Sequence, residues 1–338
     1  MLYVIGLGLS DEKDITVKGL EAVKRSERVY LEAYTSILMI DKAKLEEFYG
    51  REVILATRET VELEADSILA NADTVDVSFL VVGDPTAATT HTDLLLRAQS
   101  KGIACQVIHN ASIMTALGST GLQLYNFGQT LSLPFYTDSW RPGSWYDRLE
   151  ENLKLGMHTC VLLDIKVREQ SEEDMIKGIM RYGPPRFMNP ATAIEQILYT
   201  ENERHPPSKL KPTSSSTTAD EPASGSTSRS SSPDPTMPHY PTYPTLLDPA
   251  RTLIMTLSRL GTPTQLILSG TLAEMSELTE EDFGGPLHSV VIVGGNSDKG
   301  KGRLHPLEAE YAGRFAVNGG EEFWRCAKED YGVERESI

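Results

Sequence analysis

Three short stretches place glycine, small residues or polar side chains directly after an apolar run, where a strand end can offer its backbone to a ligand. Gly6-Leu7-Gly8-Leu9 follows the apolar Leu2 to Ile5 and precedes residues of helical spacing. Glycine there permits a tight turn and close approach of a ligand. A dinucleotide fingerprint would need a third glycine at position 11, which is Asp11 here, so a nicotinamide enzyme is disfavoured. A plain strand-to-helix turn stays open. Gly83-Asp84-Pro85-Thr86-Ala87-Ala88-Thr89-Thr90-His91 ends a valine-rich run, at the carboxyl end where open α/β sheets place ligand crevices. Asp84 could accept hydrogen bonds from a ribose or an amine; a helix cap by Asp84 or Thr89 is the alternative. His109-Asn110-Ala111-Ser112-Ile113 closes a further strand. Ser112 is a natural N-cap for Ile113 to Gly118, and the free N–H groups of such a start can hold a polar group. His288, in Gly285-Pro286-Leu287-His288, stands at the mouth of another strand, with structural and catalytic roles both open.

Other chemistries lack their residues. The seven histidines show no HExxH or similar spacing and the three cysteines, Cys105, Cys160 and Cys326, form no CxxC pair, so no metal site and no disulfide framework is expected. Neither a GxSxG elbow nor a Walker loop occurs. With 32 Lys and Arg against 48 Asp and Glu, the net charge is −16, which argues against nucleic acid as a partner. No basic n-region precedes the first apolar run, and no apolar run is long enough to span a bilayer. A soluble, cytoplasmic protein with no membrane partner is the expectation.

The elements that must carry these strand ends alternate. Leu2 to Ile5, Arg28 to Leu31, Val53 to Leu55, Val75 to Val82 and Ala104 to Ile108 read as strands. Asp14 to Ser26, Val61 to Leu69 and Thr92 to Gln99 read as helices between them. This is the pattern of a mostly parallel sheet with helices on its faces. Beyond it, Thr159 to Leu163, Thr252 to Leu257, Gln265 to Leu268 and Ser289 to Val293 read as strands. Glu172 to Arg181, Pro190 to Leu198, Leu272 to Glu277 and Pro306 to Phe315 read as helices. Short turns between neighbouring strands predict a second α/β unit with a mixed sheet. Pro206 to Thr245 stands apart: its 40 residues hold 9 Pro and 17 Ser or Thr, too little apolar surface to offset ordering entropy. The organisation expected is an N-terminal α/β domain over 1–115 and a C-terminal α/β domain over 116–318. The second is interrupted by a disordered insertion at 206–245 and followed by a charged tail at 319–338.

A family resemblance becomes visible in the ordered series of motifs. Leu2-Tyr-Val-Ile-Gly-Leu-Gly-Leu-Ser-Asp11, Val81-Val-Gly-Asp-Pro-Thr-Ala-Ala-Thr-Thr-His-Thr-Asp93 and His109-Asn-Ala-Ser-Ile-Met114 resemble the first three motifs of the diphthine synthases. Leu162-Leu-Asp-Ile-Lys-Val167, Pro184-Pro-Arg-Phe-Met188, Ser258-Arg-Leu-Gly261, Ser269-Gly-Thr-Leu272 and Gly285-Pro-Leu-His-Ser289 are similar to the later ones. The series runs in order from residue 1 to about residue 315.

The resemblance implies a two-domain fold of the tetrapyrrole methylase type, the class III methyltransferases. It implies methyl transfer from S-adenosyl-L-methionine to the modified histidine of translation elongation factor 2. In the eukaryotic type, which the LDIKV, EQS and PPRFM stretches resemble, four methylations give diphthine methyl ester. Carried over residue by residue, the family's cofactor contacts fall on Leu9, Asp84, Ala87, Ser112, Ile113, Leu163, Leu260 and His288. Position 87, often Gly in the family, is Ala here. A homodimer is implied, and no catalytic base is assigned. The alternatives are a tetrapyrrole methyltransferase of the same fold and a non-catalytic module that binds the elongation factor.

Overall fold

The computed structural model describes residues 1–34, 40–88, 91–167, 182–206, 245–295 and 304–335. The expected helix at Glu172 to Arg181 lies outside the described residues, as does the expected insertion apart from its two ends.

The first sheet is parallel throughout. Strands β1 (Leu2–Gly6), β2 (Arg28–Glu32), β3 (Ile54–Ala56), β4 (Val77–Val81) and β5 (Cys105–Ile108) lie in the order β3-β2-β4-β1-β5. Buried on both faces, central parallel strands become continuous apolar runs, as in β1 (LYVIG) and β4 (VSFLV), which are buried along their whole length. The two-residue alternation splits them between two cores. Leu2, Val4 and Phe79 face one side, and Tyr3, Ile5 and Leu80 the other. The polar exception in β4, Ser78, pairs with Ser26 at 2.7 Å. Helix Val17–Arg25 opens on Thr16, whose side chain accepts from Gly19 N, and closes on Lys24 and Arg25, where cations favour the helix dipole.

The second sheet is mixed. After β6 (Leu131–Leu133) and β7 (Thr159–Leu163), a two-stranded ribbon joins β8 (Ile165–Lys166) to β9 (Arg186–Phe187). Then come β10 (Leu253–Ser258), β11 (Leu266–Thr271) and β12 (His288–Ile292), giving the order β11-β10-β12-β7-β6. Only β6 and β7 pair in parallel; the other neighbours are antiparallel. Its alternation again makes two cores, with Met255, Leu257 and Val291 on one face and Ile254, Val290 and Ile292 on the other.

Several elements depart from expectation. The helix expected over Val61 to Leu69 is two helices, Arg58–Glu62 and Ala65–Leu69. The break at Leu63 and Glu64 leaves Leu63 in solvent while Val61, Ala65, Ile68 and Leu69 are buried. Helices Lys42–Tyr49 and Ser144–Lys154 and strand β6 arise where none was expected. The expected charged tail at 319–338 contains helix Glu321–Glu329. Its charges face water, whereas Phe323, Cys326 and Ala327, with Tyr331 and Val333 beyond, complete a core of the second sheet. The Tyr331 hydroxyl accepts from Leu253 N at 3.0 Å and donates to Val293 O at 3.3 Å, crosslinking the two neighbouring strands β10 and β12 at their ends.

Candidate active site

In the first sheet β1 lies between β4 and β5, so the loops following these three strands meet although their sequences are far apart. Gly8 and Gly83 exchange backbone hydrogen bonds of 3.2 and 2.8 Å. Asn110 ties in the third loop, donating from Nδ2 to Gly6 O (3.0 Å) and Asp14 O (2.9 Å). Asp14 in turn accepts from the backbone N–H groups of Leu9 and Ser10.

Asp84 joins the β4 and β5 loops. Its Oδ1 accepts from Thr86 N (2.9 Å) and Thr86 Oγ1 (2.7 Å). Its Oδ2 accepts from Asn110 N (3.1 Å) and lies 2.8 Å from His109 Nδ1. Burial pushes its pKa up, but these four hydrogen bonds outweigh burial and hold the carboxyl below its ordinary range. A carboxylate has about four acceptor positions, and here the protein fills them. No described helix begins at Asp84, so the helix-cap role gives way to a clamp between loops, and Asp84 still lines the cleft where the cofactor contact is expected.

The opposite wall comes from the second sheet. The turn after β10 carries Arg259, Leu260 and Thr262; β12 opens with His288, and β7 ends in Leu162 and Leu163. The walls touch at Gly261, where a Cβ would stand 3.2 Å from the Cβ of Leu9. Gly261 also holds φ at +83°, a conformation that costs glycine little. Between the walls lies a cavity of about 220 Å³. All eight positions expected from the family resemblance line it: Leu9, Asp84, Ala87, Ser112 and Ile113 from the first wall, and Leu163, Leu260 and His288 from the second. Ser112 is the N-cap of Ile113–Ala116, which continues as a 3-10 turn to Thr120 rather than as one helix to Gly118. His109 bonds Asp84 from outside the lining and is mostly exposed.

The hydrogen-bond geometry fixes the tautomer of His288. Ser258 and His288 face each other across β10 and β12. Ser258 Oγ lies 2.7 Å from Phe283 O and 2.9 Å from His288 Nδ1. A carbonyl can only accept, so the single hydroxyl proton goes to Phe283 and Ser258 Oγ accepts from His288 Nδ1–H. Burial, and then the charge of Arg259, lower the His288 pKa to about 4. His288 is therefore neutral near pH 7, and Nε2 carries the lone pair.

Sequence reasoning passed over Arg259. It sits in a turn with φ +49°, a strained backbone for a non-glycine residue that costs about 1–3 kcal/mol. Its N–H donates to Leu287 O at 2.9 Å. Among the described lining residues, Asp84 is the single carboxylate and Arg259 the single permanent cation. A turn arginine between two apolar strands was the available signal, but its want of an anionic partner is visible only in three dimensions. No group of three His, Cys, Asp or Glu among the described residues is placed to hold a metal ion. No described helix is long and apolar enough to cross a membrane.

Two α/β walls around one cleft form a site for a small molecule, and the comparisons give its class. The family model described as Tetrapyrrole (Corrin/Porphyrin) Methylases matches residues 1–203. The chain is 52% identical over 318 residues to the diphthine methyl ester synthase of Emericella nidulans, covering 94% of each. It is 49% identical over 318 residues to that of Bos taurus, covering 94% of this chain and 95% of the other. A crystal structure of diphthine synthase aligns at TM-score 0.67 and 26% identity, over 93% of this chain and 95% of that one. The chain thus belongs to the tetrapyrrole methylase family and is a methyltransferase. Within that family it is a member of the diphthine methyl ester synthases, the methyltransferases of diphthamide biosynthesis.

Proposed function

We propose that this chain transfers methyl groups from S-adenosyl-L-methionine to the modified histidine of translation elongation factor 2. Four transfers, three to the amine of an aminocarboxypropyl side chain and one to its carboxylate, give diphthine methyl ester. The observation that carries this reading is the convergence of eight family-implied positions on one cleft, in a chain about half identical to diphthine methyl ester synthases. A homodimer acting in the cytoplasm, without nucleic acid or membrane, completes the proposal.

The residues present fit the cofactor. Leu9, Ile113, Leu163 and Leu260 supply apolar walls, and the backbone at Asp84 to Ala87 offers a close polar edge. His288 Nε2 is available as an acceptor. When bound, the cofactor supplies an already activated methyl group, so the protein mainly has to position a nucleophile in line with it. The amine must be neutral to attack, and apolar walls lower an amine pKa by disfavouring the charged form. His288 is a poor candidate for holding the released proton, since burial keeps its imidazole uncharged. No side chain is assigned as a base.

Mass spectrometry of elongation factor 2 carrying the aminocarboxypropyl histidine, incubated with enzyme and S-adenosyl-L-methionine, tests the reading. Four added methyl groups on that histidine are expected. An unmodified factor, under conditions where the enzyme binds cofactor, refutes it.

A further inference from the structure

We infer that Arg259 is the receptor for a carboxylate inside the cleft, an inference that rests on the methyltransferase reading above. Arg259 is half-buried, and its Nε is enclosed without a hydrogen-bond partner. Asp84, the one carboxylate among the described lining residues, is held by Thr86, His109 and Asn110 instead, in a chain of net charge −16. The nearest segment is instead stripped of side chains. A Cβ on Gly285 would stand 2.9 Å from Arg259 Nη1, and one on Gly284 would stand 3.2 Å from Nη2. These two glycines leave the guanidinium room beside the segment that leads to His288. The hydrogen bond from Arg259 N to Leu287 O helps hold the residue in this turn despite its positive φ.

A cation that is partly withdrawn from water and left unpaired is costly, and a planar fork of donors matches a carboxylate. The surrounding lining offers no second cation, so a phosphate dianion would be poorly neutralised, whereas one carboxylate matches one guanidinium. Two molecules bring such a group to this cleft: the methionyl tail of the cofactor, and the aminocarboxypropyl side chain of the target. The chemistry is the same in both. If the target supplies it, holding the carboxylate on Arg259 leaves the neighbouring amine free to be methylated first, and the ester can form only after the carboxylate has left the arginine.

Calorimetry on Arg259→Gln and Arg259→Lys, with S-adenosylhomocysteine and with 5′-methylthioadenosine, separates the sources, because the second probe lacks the amino-acid tail. If the cofactor carboxylate is bound, Arg259→Gln weakens S-adenosylhomocysteine about tenfold to a hundredfold and leaves 5′-methylthioadenosine unchanged. If the target carboxylate is bound, both nucleosides bind as before. The KM for the aminocarboxypropyl-modified factor then rises by a similar factor. Arg259→Lys, which keeps the charge without the fork, recovers part of the loss in either case. It also stands in if the Gln variant does not fold. Unchanged affinity and unchanged KM overturn the inference alone. Equal weakening of both nucleosides also overturns it, because it shows a general effect on the cleft. Wild-type protein that binds neither nucleoside overturns both this inference and the methyltransferase reading beneath it.

Discussion

Asp84 Oδ2 stands 2.8 Å from His109 Nδ1, and this contact binds the loop after β4 to the loop after β5. Together with bonds from Thr86 and Asn110 it occupies the carboxylate and shapes the first wall.

Asp84→Asn should therefore cost stability and affinity together. Either orientation of the amide turns an NH₂ toward a backbone N–H, of Thr86 or of Asn110. A buried mismatch of this kind costs about 1–3 kcal/mol. Urea unfolding and cofactor calorimetry on the same variant check this. Lost affinity with an unchanged unfolding free energy would return the carboxylate to direct ligand contact.

His288 should appear as a neutral imidazole protonated on Nδ1. Nitrogen-detected NMR should show that tautomer persisting as pH falls through 6 and 5, with protonation only near pH 4. The folded pKa lies below the ordinary 6.5. The unfolded chain therefore takes up the proton first, and stability declines as pH drops from about 6.5 toward 4. Ser258→Ala, which removes the acceptor of Nδ1–H, should release the proton to either nitrogen. A single Nδ1 tautomer in that variant would refute the assignment.

Glu308 should govern acid tolerance of the second sheet. Its Oε1 accepts from Gln123 N (2.8 Å) and His158 Nε2 (3.2 Å), and its Oε2 from His305 N (2.8 Å). Gly294 N donates to His158 Nδ1, so His158 carries its proton on Nε2 and donates it to Glu308. Burial pushes the carboxyl up, but the bonds from His158, Gln123 and His305 prevail and bring its pKa down to about 2. With an ordinary value of 4.5, its contribution is complete above pH 4.5 and lost as pH falls toward 2. Over that window it amounts to about 3 kcal/mol. Denaturation of wild type and Glu308→Gln at pH 6 and pH 3 should show a gap that narrows at the lower pH; a constant gap would contradict this.

Excising residues 207–244 and joining the ends with a short glycine linker should leave melting temperature and cofactor binding nearly unchanged. Glu201, on helix Pro190–Arg204, accepts from Leu246 N (3.0 Å) and Leu247 N (3.1 Å) and also from the Tyr146 hydroxyl. The chain is thus held on both sides of the excised stretch, and loop length alone changes closure free energy by only about 0.6 kcal/mol per doubling. Glu201→Ala should cost more stability than the whole deletion. The reverse order in thermal melts would show that residues 207–244 support the fold.

Strand ends were the most legible part of the molecule. Glycine and proline follow β1 and β4 and precede β12, a short polar run follows β5, and these ends deliver most of the cleft lining. Amphipathic helices with few apolar positions were not legible. Glu321–Glu329 offers Phe323, Cys326 and Ala327 among five charged residues, too sparse a stripe for periodicity to outweigh the charge. Ser144–Lys154 buries Trp145, Tyr146, Leu149 and Leu153, but its five charged residues and Asn152 mask the repeat. The clamp role of Asp84 was hidden for another reason. Its partners His109 and Asn110 come from a different strand, and a sequence shows which residues can accept a hydrogen bond but not which donors arrive.

The Tyr331 crosslink sets an order of biosynthesis. The first sheet is finished once residue 108 has left the ribosome, so it can form while synthesis continues. The second lacks its last crosslink until Tyr331 reaches Leu253 and Val293. Until then Met255, Val291 and their neighbours lack the helix that covers them, and the far wall of the cleft has no finished support. A product cut before Glu321 would expose a greasy, unfinished sheet to the cell's quality-control machinery, so such shortened chains should be cleared rather than persist as half-built enzymes.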